Sequence, residues 1–178
     1  MIRAWAIGVF SLALICVEAQ PQELDSTLQY LAPLLGQTWV GHYVDSPEDA
    51  HLEHIVRWEA ILDGKVVKKV KAVPAVDFCE VSLYYWDTEA EQVSLMSLTN
   101  RGQHTHGTVR LDDARIVMNG DRPDGRSFVL SFEILADGRL RDKFFNVIEG
   151  DLQQGHLIEY TAEAGREFDE ALQCESKQ

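Results

Sequence analysis

The stretch HLEHIVRWEAILDGKVVKKVKAV, residues 51–73, decides the fold class. On its first arm Leu52, His54, Val56, Trp58 and Ala60 alternate with Glu53, Arg57 and Glu59. A period of two places those sets on opposite faces of a β-strand. Asp63-Gly64 follows, and both residues tolerate the positive φ of a tight hairpin turn, so Lys65–Val73 reads as the returning strand.

The same pattern continues in both directions. Upstream, Thr38–Val44 reads as a strand. Downstream come Phe78–Asp87, Gln92–Thr99, His104–Leu111, Arg115–Asn119, Ser127–Leu135, Leu140–Ile148 and His156–Ala162, with Gly150 to Gly155 taken as the last turn. About ten strands joined by short turns, with no helices between them, exclude a parallel α/β sheet. They predict an all-β, up-and-down antiparallel barrel, which removes the exposed edges an open sheet would have to protect. One helical start precedes the strands. Asp25 supplies a cap, Gln29 stands at capping-box spacing, Leu28, Leu31 and Leu35 recur on one face, and Pro33 keeps the helix short.

Composition sets limits on function. The chain of 178 residues carries 16 Lys+Arg against 29 Asp+Glu, a formal charge of −13, so a whole-surface basic footprint for nucleic acid is absent. Residues 1–19 have the parts of a secretory signal: Arg3, an uncharged run from Ala4 to Val17, and Val17-Glu18-Ala19 before a cut at Gln20. The run is short for a bilayer span. The expectation is therefore an exported, monomeric protein with no integral membrane segment after processing. A barrel domain would span 20–164 and an acidic tail 165–178. Cys79 and Cys174 remain in the mature chain, and an oxidising compartment favours a bond between them. Such a bond closes a loop on the order of 100 residues, for which chain-entropy estimates give roughly 4–5 kcal/mol. The alternative leaves Cys174 free in the tail.

A leucine-rich helix, then Leu34-Leu35-Gly36-Gln37-Thr38-Trp39-Val40-Gly41, then a long meander resembles the calycin superfamily. More narrowly, the chain is similar to secreted bacterial lipocalin-like domains of unassigned function. The resemblance implies a barrel with one closed end and one mouth, holding a small apolar or amphipathic molecule. It also implies that Trp39 closes the base beneath a basic side chain, Arg141 or Lys143. Two residues separate Gly36 from Trp39 here, where the lipocalin signature has one.

Several residue groups are candidates for chemistry. His54 and Trp58 either line a cavity near Trp39 or belong to a filled core. Along residues 140–148, Leu140, Phe144 and Ile148 share a face with Asp142 and Asn146, a mixture that suits a cavity with a few placed polar contacts. Tyr84, Tyr85 and Trp86 present large rings on both faces of one strand, and Tyr85 joins the expected ligand site. His104 and His106, two apart, point to one side. They are either polar rim histidines that orient a ligand or, with His42, His54 or His156, part of a metal site. Nitrobindin-like barrels of this superfamily hold haem iron through one histidine, a part the resemblance would give to His156. Lys65, Lys68, Lys69 and Lys71 read as a solvated outer face. The nucleophile elbow, the phosphate loop and the dinucleotide fingerprint are all missing. The reading is thus a ligand-binding protein with no cofactor, centred on Trp39, His54, Trp58, Tyr85, His104 and His106. Its alternatives are a metal- or haem-assisted barrel enzyme and an envelope protein-interaction module.

Overall fold

The computed structural model describes residues 23–49 and 51–168. The expected signal segment and Cys174 lie outside the described residues. Ten strands form a closed antiparallel barrel: β1 (Thr38–Tyr43), β2 (His54–Ile61), β3 (Val66–Val73), β4 (Phe78–Asp87), β5 (Gln92–Thr99), β6 (His104–Asp112), β7 (Arg115–Asp121), β8 (Ser127–Ile134), β9 (Leu140–Ile148) and β10 (Asp151–Glu163). Each strand pairs with its neighbours in sequence, and β1 closes the ring on β10, with Thr38 opposite Glu163 and Tyr43 opposite Ile158. This is the all-β architecture that the period of two predicts.

The floor is built from the N-terminal helix. Residues Ser26–Leu34 form a 3₁₀ helix with Pro33 inside it. That is a long run for 3₁₀ geometry, which is seldom sustained beyond one turn, and it is held here by the packing of its leucines. Asp25 caps it by accepting from the Thr27 backbone N–H at 2.9 Å. Leu28, Leu31 and Leu34 are wholly buried and pack with Trp39, Trp58, Val67 and Tyr84. The Trp39 indole donates to the Leu34 carbonyl at 3.0 Å, which ties the first strand to the plug. The β2–β3 turn anchors the other side. Leu62, Asp63 and Gly64 all have positive φ, and a Cβ on Gly64 would lie 2.0 Å from the Glu23 carbonyl oxygen. Only glycine allows that approach, which brings the Asp25 N–H onto the Gly64 carbonyl at 3.0 Å.

The last hairpin differs from its sequence reading. Its turn is Glu149-Gly150, and Gly155 lies inside β10, where the register shifts between Gln154 and His156. The extra residue is a β-bulge, and beyond it the inward-facing set becomes His156, Ile158 and Tyr160.

At the barrel's end, Arg166 is tied back to the wall. Its guanidinium reaches Glu53 at 2.6 Å and Glu163 at 3.1 Å, and its carbonyl accepts from the Thr38 hydroxyl.

Candidate functional site

A cavity of about 740 Å³ opens at the end of the barrel opposite the helix. Strand alternation lines it with Lys69, Lys71 and Val73 from β3, Glu80, Ser82 and Tyr84 from β4, and Asp142 and Phe144 from β9. His54, Tyr43 and His156 complete the side where β1, β2 and β10 meet. The lumen is therefore charged as well as apolar.

The deepest polar layer is an ion pair above the floor. Lys69 is 4% exposed, and its Nζ lies 2.7 Å from Glu80 Oε1. The same ammonium stands 5.8 Å from the Trp58 ring and 5.7 Å from the Phe132 ring, so it is also held by aromatic faces. The Ser82 hydroxyl donates to Glu80 at 2.9 Å. Burial works to raise the Glu80 carboxyl, but the Lys69 and Lys71 ammoniums and the hydrogen bonds from Lys69 and Ser82 outweigh it, and bring it down to about 2. Burial likewise works against the Lys69 ammonium, yet Glu80 leaves its pKa raised. Both partners are therefore ionised at neutral pH.

Above this pair lies a group of polar atoms without protein partners. His54 is 3% exposed and neither ring nitrogen has a hydrogen-bond partner, while Asp142 is 2% exposed with Oδ1 unpartnered. Asp142 Oδ1 faces His156 Nε2 across 3.8 Å, too far for a hydrogen bond, and that nitrogen is unpartnered too. Burial works to raise the Asp142 carboxyl, but His156 and then Lys71 more than offset it, leaving it lowered. Buried polar atoms are normally satisfied. Four that converge on a cavity mark where a polar group belongs.

An aromatic wall rises from this layer to the mouth. Phe144 stacks on His156 with ring centres 5.0 Å apart and an 11° tilt, and Phe128 stacks on Phe144 at 5.5 Å. Tyr43 meets His54 and His156 edge-on at 4.7 and 5.8 Å. Glycines seat the rings. A Cβ on Gly155 would come within 2.5 Å of Phe144, and one on Gly120 within 2.3 Å of Phe128. At the rim the Arg122 guanidinium covers Phe128 and Phe144 at 5.8 and 5.5 Å.

The residues singled out in the sequence are dispersed by this geometry. His54 lines the cavity. Trp39 and Trp58 are buried below it in the floor. Tyr84 faces the lumen, and Tyr85 points outward because strand alternation gives the inner face to the even positions of β4. His104 reaches the mouth, but it shares the outward face of β6 with His106, their rings 5.8 Å apart, while Thr105 and Val109 face in. Among the described residues no third His, Cys, Asp or Glu joins them in a metal-binding group. The basic partner expected over Trp39 is also corrected. Arg141 and Lys143 face outward on β9, and Arg141 pairs with Glu159 at 2.7 Å. The cation near the floor is Lys69, so the lysine cluster is not wholly an outer face: Lys69 and Lys71 turn in. Cys79 sits on the outer face of β4 and is 3% exposed.

His54 gives a direct test of this interior. Burial, with Lys71 next, lowers its pKa from 6.5 to about 3. The unfolded chain binds a proton below pH 6.5 that the folded chain refuses. The stabilisation is therefore complete above 6.5 and is lost as the pH falls toward 3. Between pH 7 and pH 5 the loss amounts to about 2 kcal/mol, or a melting-temperature drop of roughly 4–8 °C. His54→Phe should remove that part of the slope. Equal slopes in the two proteins would show that His54 protonates freely in the fold.

No known protein family profile matches the chain. A stretch of 94 residues is 30% identical to chromodomain-helicase-DNA-binding protein 8 of Homo sapiens, and the Rattus norvegicus protein matches equally. That stretch is 52% of this chain and 3% of the helicase, so this chain spans only a small fraction of that protein. Among solved structures, Rv2717c from M. tuberculosis is similar with a TM-score of 0.51 and 19% identity, covering 78% of this chain and 97% of that one. At that identity the likeness is one of fold alone, and with the closed ring of ten strands it fits a lipocalin-like barrel fold.

Proposed function

We propose that the protein binds a small amphipathic molecule inside the barrel, as an exported calycin-type carrier. The observation that supports this most is the cavity, with unpartnered polar atoms at its depth and stacked rings toward its mouth. Binding sites commonly combine apolar walls with a few convergent polar groups. The ligand's polar end would sit among His54, Lys71, Asp142 and His156, and its apolar part against Phe128 and Phe144. Trp39 and Trp58 would support this site from below, and His104 would flank the mouth. His156 serves here as a hydrogen-bonding group, because its ring lies flat on Phe144 with Nε2 turned to Asp142.

N-phenyl-1-naphthylamine, a neutral apolar fluorophore, tests the reading. Its emission should rise and saturate at one equivalent, and Phe144→Ala should weaken it by about tenfold, the loss of one stacked ring. A folded protein that leaves the dye dark would overturn the proposal. Native mass spectrometry of exported material, with an absorption scan, would show any ligand carried from the cell. Export itself predicts a mature N-terminus at Gln20. The Cys79–Cys174 bond predicts a mass lower by two hydrogens than that of the reduced chain.

A further inference from the structure

We infer that the ligand's head group is electrically neutral and carries both a hydrogen-bond acceptor and a donor, as a primary carboxamide does, with the acceptor on Lys71 and the donor on Asp142. This rests on the cavity-binding reading above and adds the chemistry of its polar end.

Two observations carry it. The first is what the unpartnered groups require. Asp142 Oδ1 is a buried carboxylate oxygen with nothing donating to it. Lys71 lines the same cavity and, among the described residues, has no side-chain hydrogen bond or ion pair. An ammonium only donates and a carboxylate only accepts. Burial lowers the Lys71 pKa and the Asp142 carboxylate works against that, yet among the described residues no ion pair closes between the two, so one group that satisfies both can stand between them. A carbonyl oxygen facing Lys71 and an N–H facing Asp142 do so with a single planar head. The His54 and His156 nitrogens border the same space and can complete the remaining bonds.

The second observation is charge. The lumen below the rim holds Lys69 and Lys71 against Glu80 and Asp142, so its formal charges cancel, and burial keeps His54 neutral at pH 7. A carboxylate head would satisfy Lys71 but bring a second anion up to Asp142 Oδ1. An alkylammonium head would satisfy Asp142 but face Lys71. Either leaves an excess charge in a place sheltered from water, where unpaired charge is costly. Arg101, Arg122, Asp124 and Arg126 belong to the rim and lie beyond this layer.

The test is displacement of N-phenyl-1-naphthylamine at pH 7 by three ligands with one tail: decanamide, decanoate and decylammonium. Decanamide should displace the dye at about one tenth the concentration of either ion, or lower, a difference of ~1.4 kcal/mol. Two variants shift the charge balance. Asp142→Asn leaves the lumen with excess positive charge, so decanoate should overtake decanamide. Lys71→Met leaves excess negative charge, so decylammonium should gain. Dye that binds but yields to all three ligands alike, or yields first to decanoate in the natural protein, overturns the neutral head and leaves the cavity reading standing. Dye that never enters removes both. Should Asp142→Asn fail to fold, the natural protein and Lys71→Met still decide the ranking.

Discussion

Replacing Lys69 by methionine should destabilise the barrel by about 3 kcal/mol, because it strands the Glu80 carboxylate in the lumen. The two groups are 2.7 Å apart, and the side chains of Lys69 and Glu80 are 5% and 23% exposed. Lys69 also contacts the faces of Trp58 and Phe132, contacts that methionine largely keeps through its own sulfur. The cost is therefore dominated by the orphaned anion. The double variant Lys69→Met/Glu80→Leu removes both charges and should lie within about 1 kcal/mol of the natural protein, since apolar replacement of a buried pair is often neutral. Urea unfolding of the natural protein, Lys69→Met, Glu80→Leu and the double variant measures the coupling. A single variant as stable as the natural protein, or a double variant worse than the sum of the singles, would show that the pair does not hold the floor together. The pH dependence gives a second check. Glu80 titrates normally near 4.5 and is held down to about 2 in the fold. Its contribution is therefore in force above pH 4.5 and is lost as the pH falls toward 2, in the natural protein but not in the double variant.

This ion pair was the part of the interior least legible in the sequence, for a physical reason. Along β3 the inner positions are Val67, Lys69, Lys71 and Val73, and the outer ones are Val66, Lys68, Val70 and Ala72. Lysines occur on both faces, so a period of two cannot say which face is inside. Glu80 becomes the partner of Lys69 only through the register that sets Lys69 opposite Ser82 and Lys71 opposite Glu80. Where one face is plainly apolar the reading works. His54, Val56 and Trp58 turn inward together, and so do Leu140, Asp142 and Phe144. Three consecutive rings at Tyr84, Tyr85 and Trp86 erase that contrast, and only pairing with β3 selects Tyr84. The pair His104 and His106 shows the same gap: spacing fixes that they share a face, not which one. Gly155 is the remaining case. A glycine near the end of a hairpin reads as turn chemistry, whereas here it is an inserted residue that turns His156 into the lumen and leaves room for Phe144.

Trp58→Ala should be the most damaging single change, costing about 3–5 kcal/mol. The indole is wholly buried, tilted against Tyr84 at 5.0 Å, edge-on to Phe132 at 5.4 Å, and beneath the Lys69 ammonium. Alanine would leave a void under a buried charge. Trp58→Phe separates packing from polarity. Trp58 Nε1 has no hydrogen-bond partner, so phenylalanine gives up volume but no bond. It should cost less than Trp39→Phe, which also strips the Leu34 carbonyl of its 3.0 Å donor. Leaving a buried acceptor unpaired adds about 1–3 kcal/mol. The same variants place Trp58 relative to the ligand. It lies under the layer of Lys69 and Glu80, not on the cavity wall. Folded Trp58→Phe should therefore bind N-phenyl-1-naphthylamine within about threefold of the natural protein, whereas Phe144→Ala, on the wall, should lose about tenfold. The reverse order would move the binding site down to the floor and make Trp58 a contact residue. Stability and dye affinity measured on the same preparations decide between the two, because a floor residue changes mainly the first and a wall residue mainly the second.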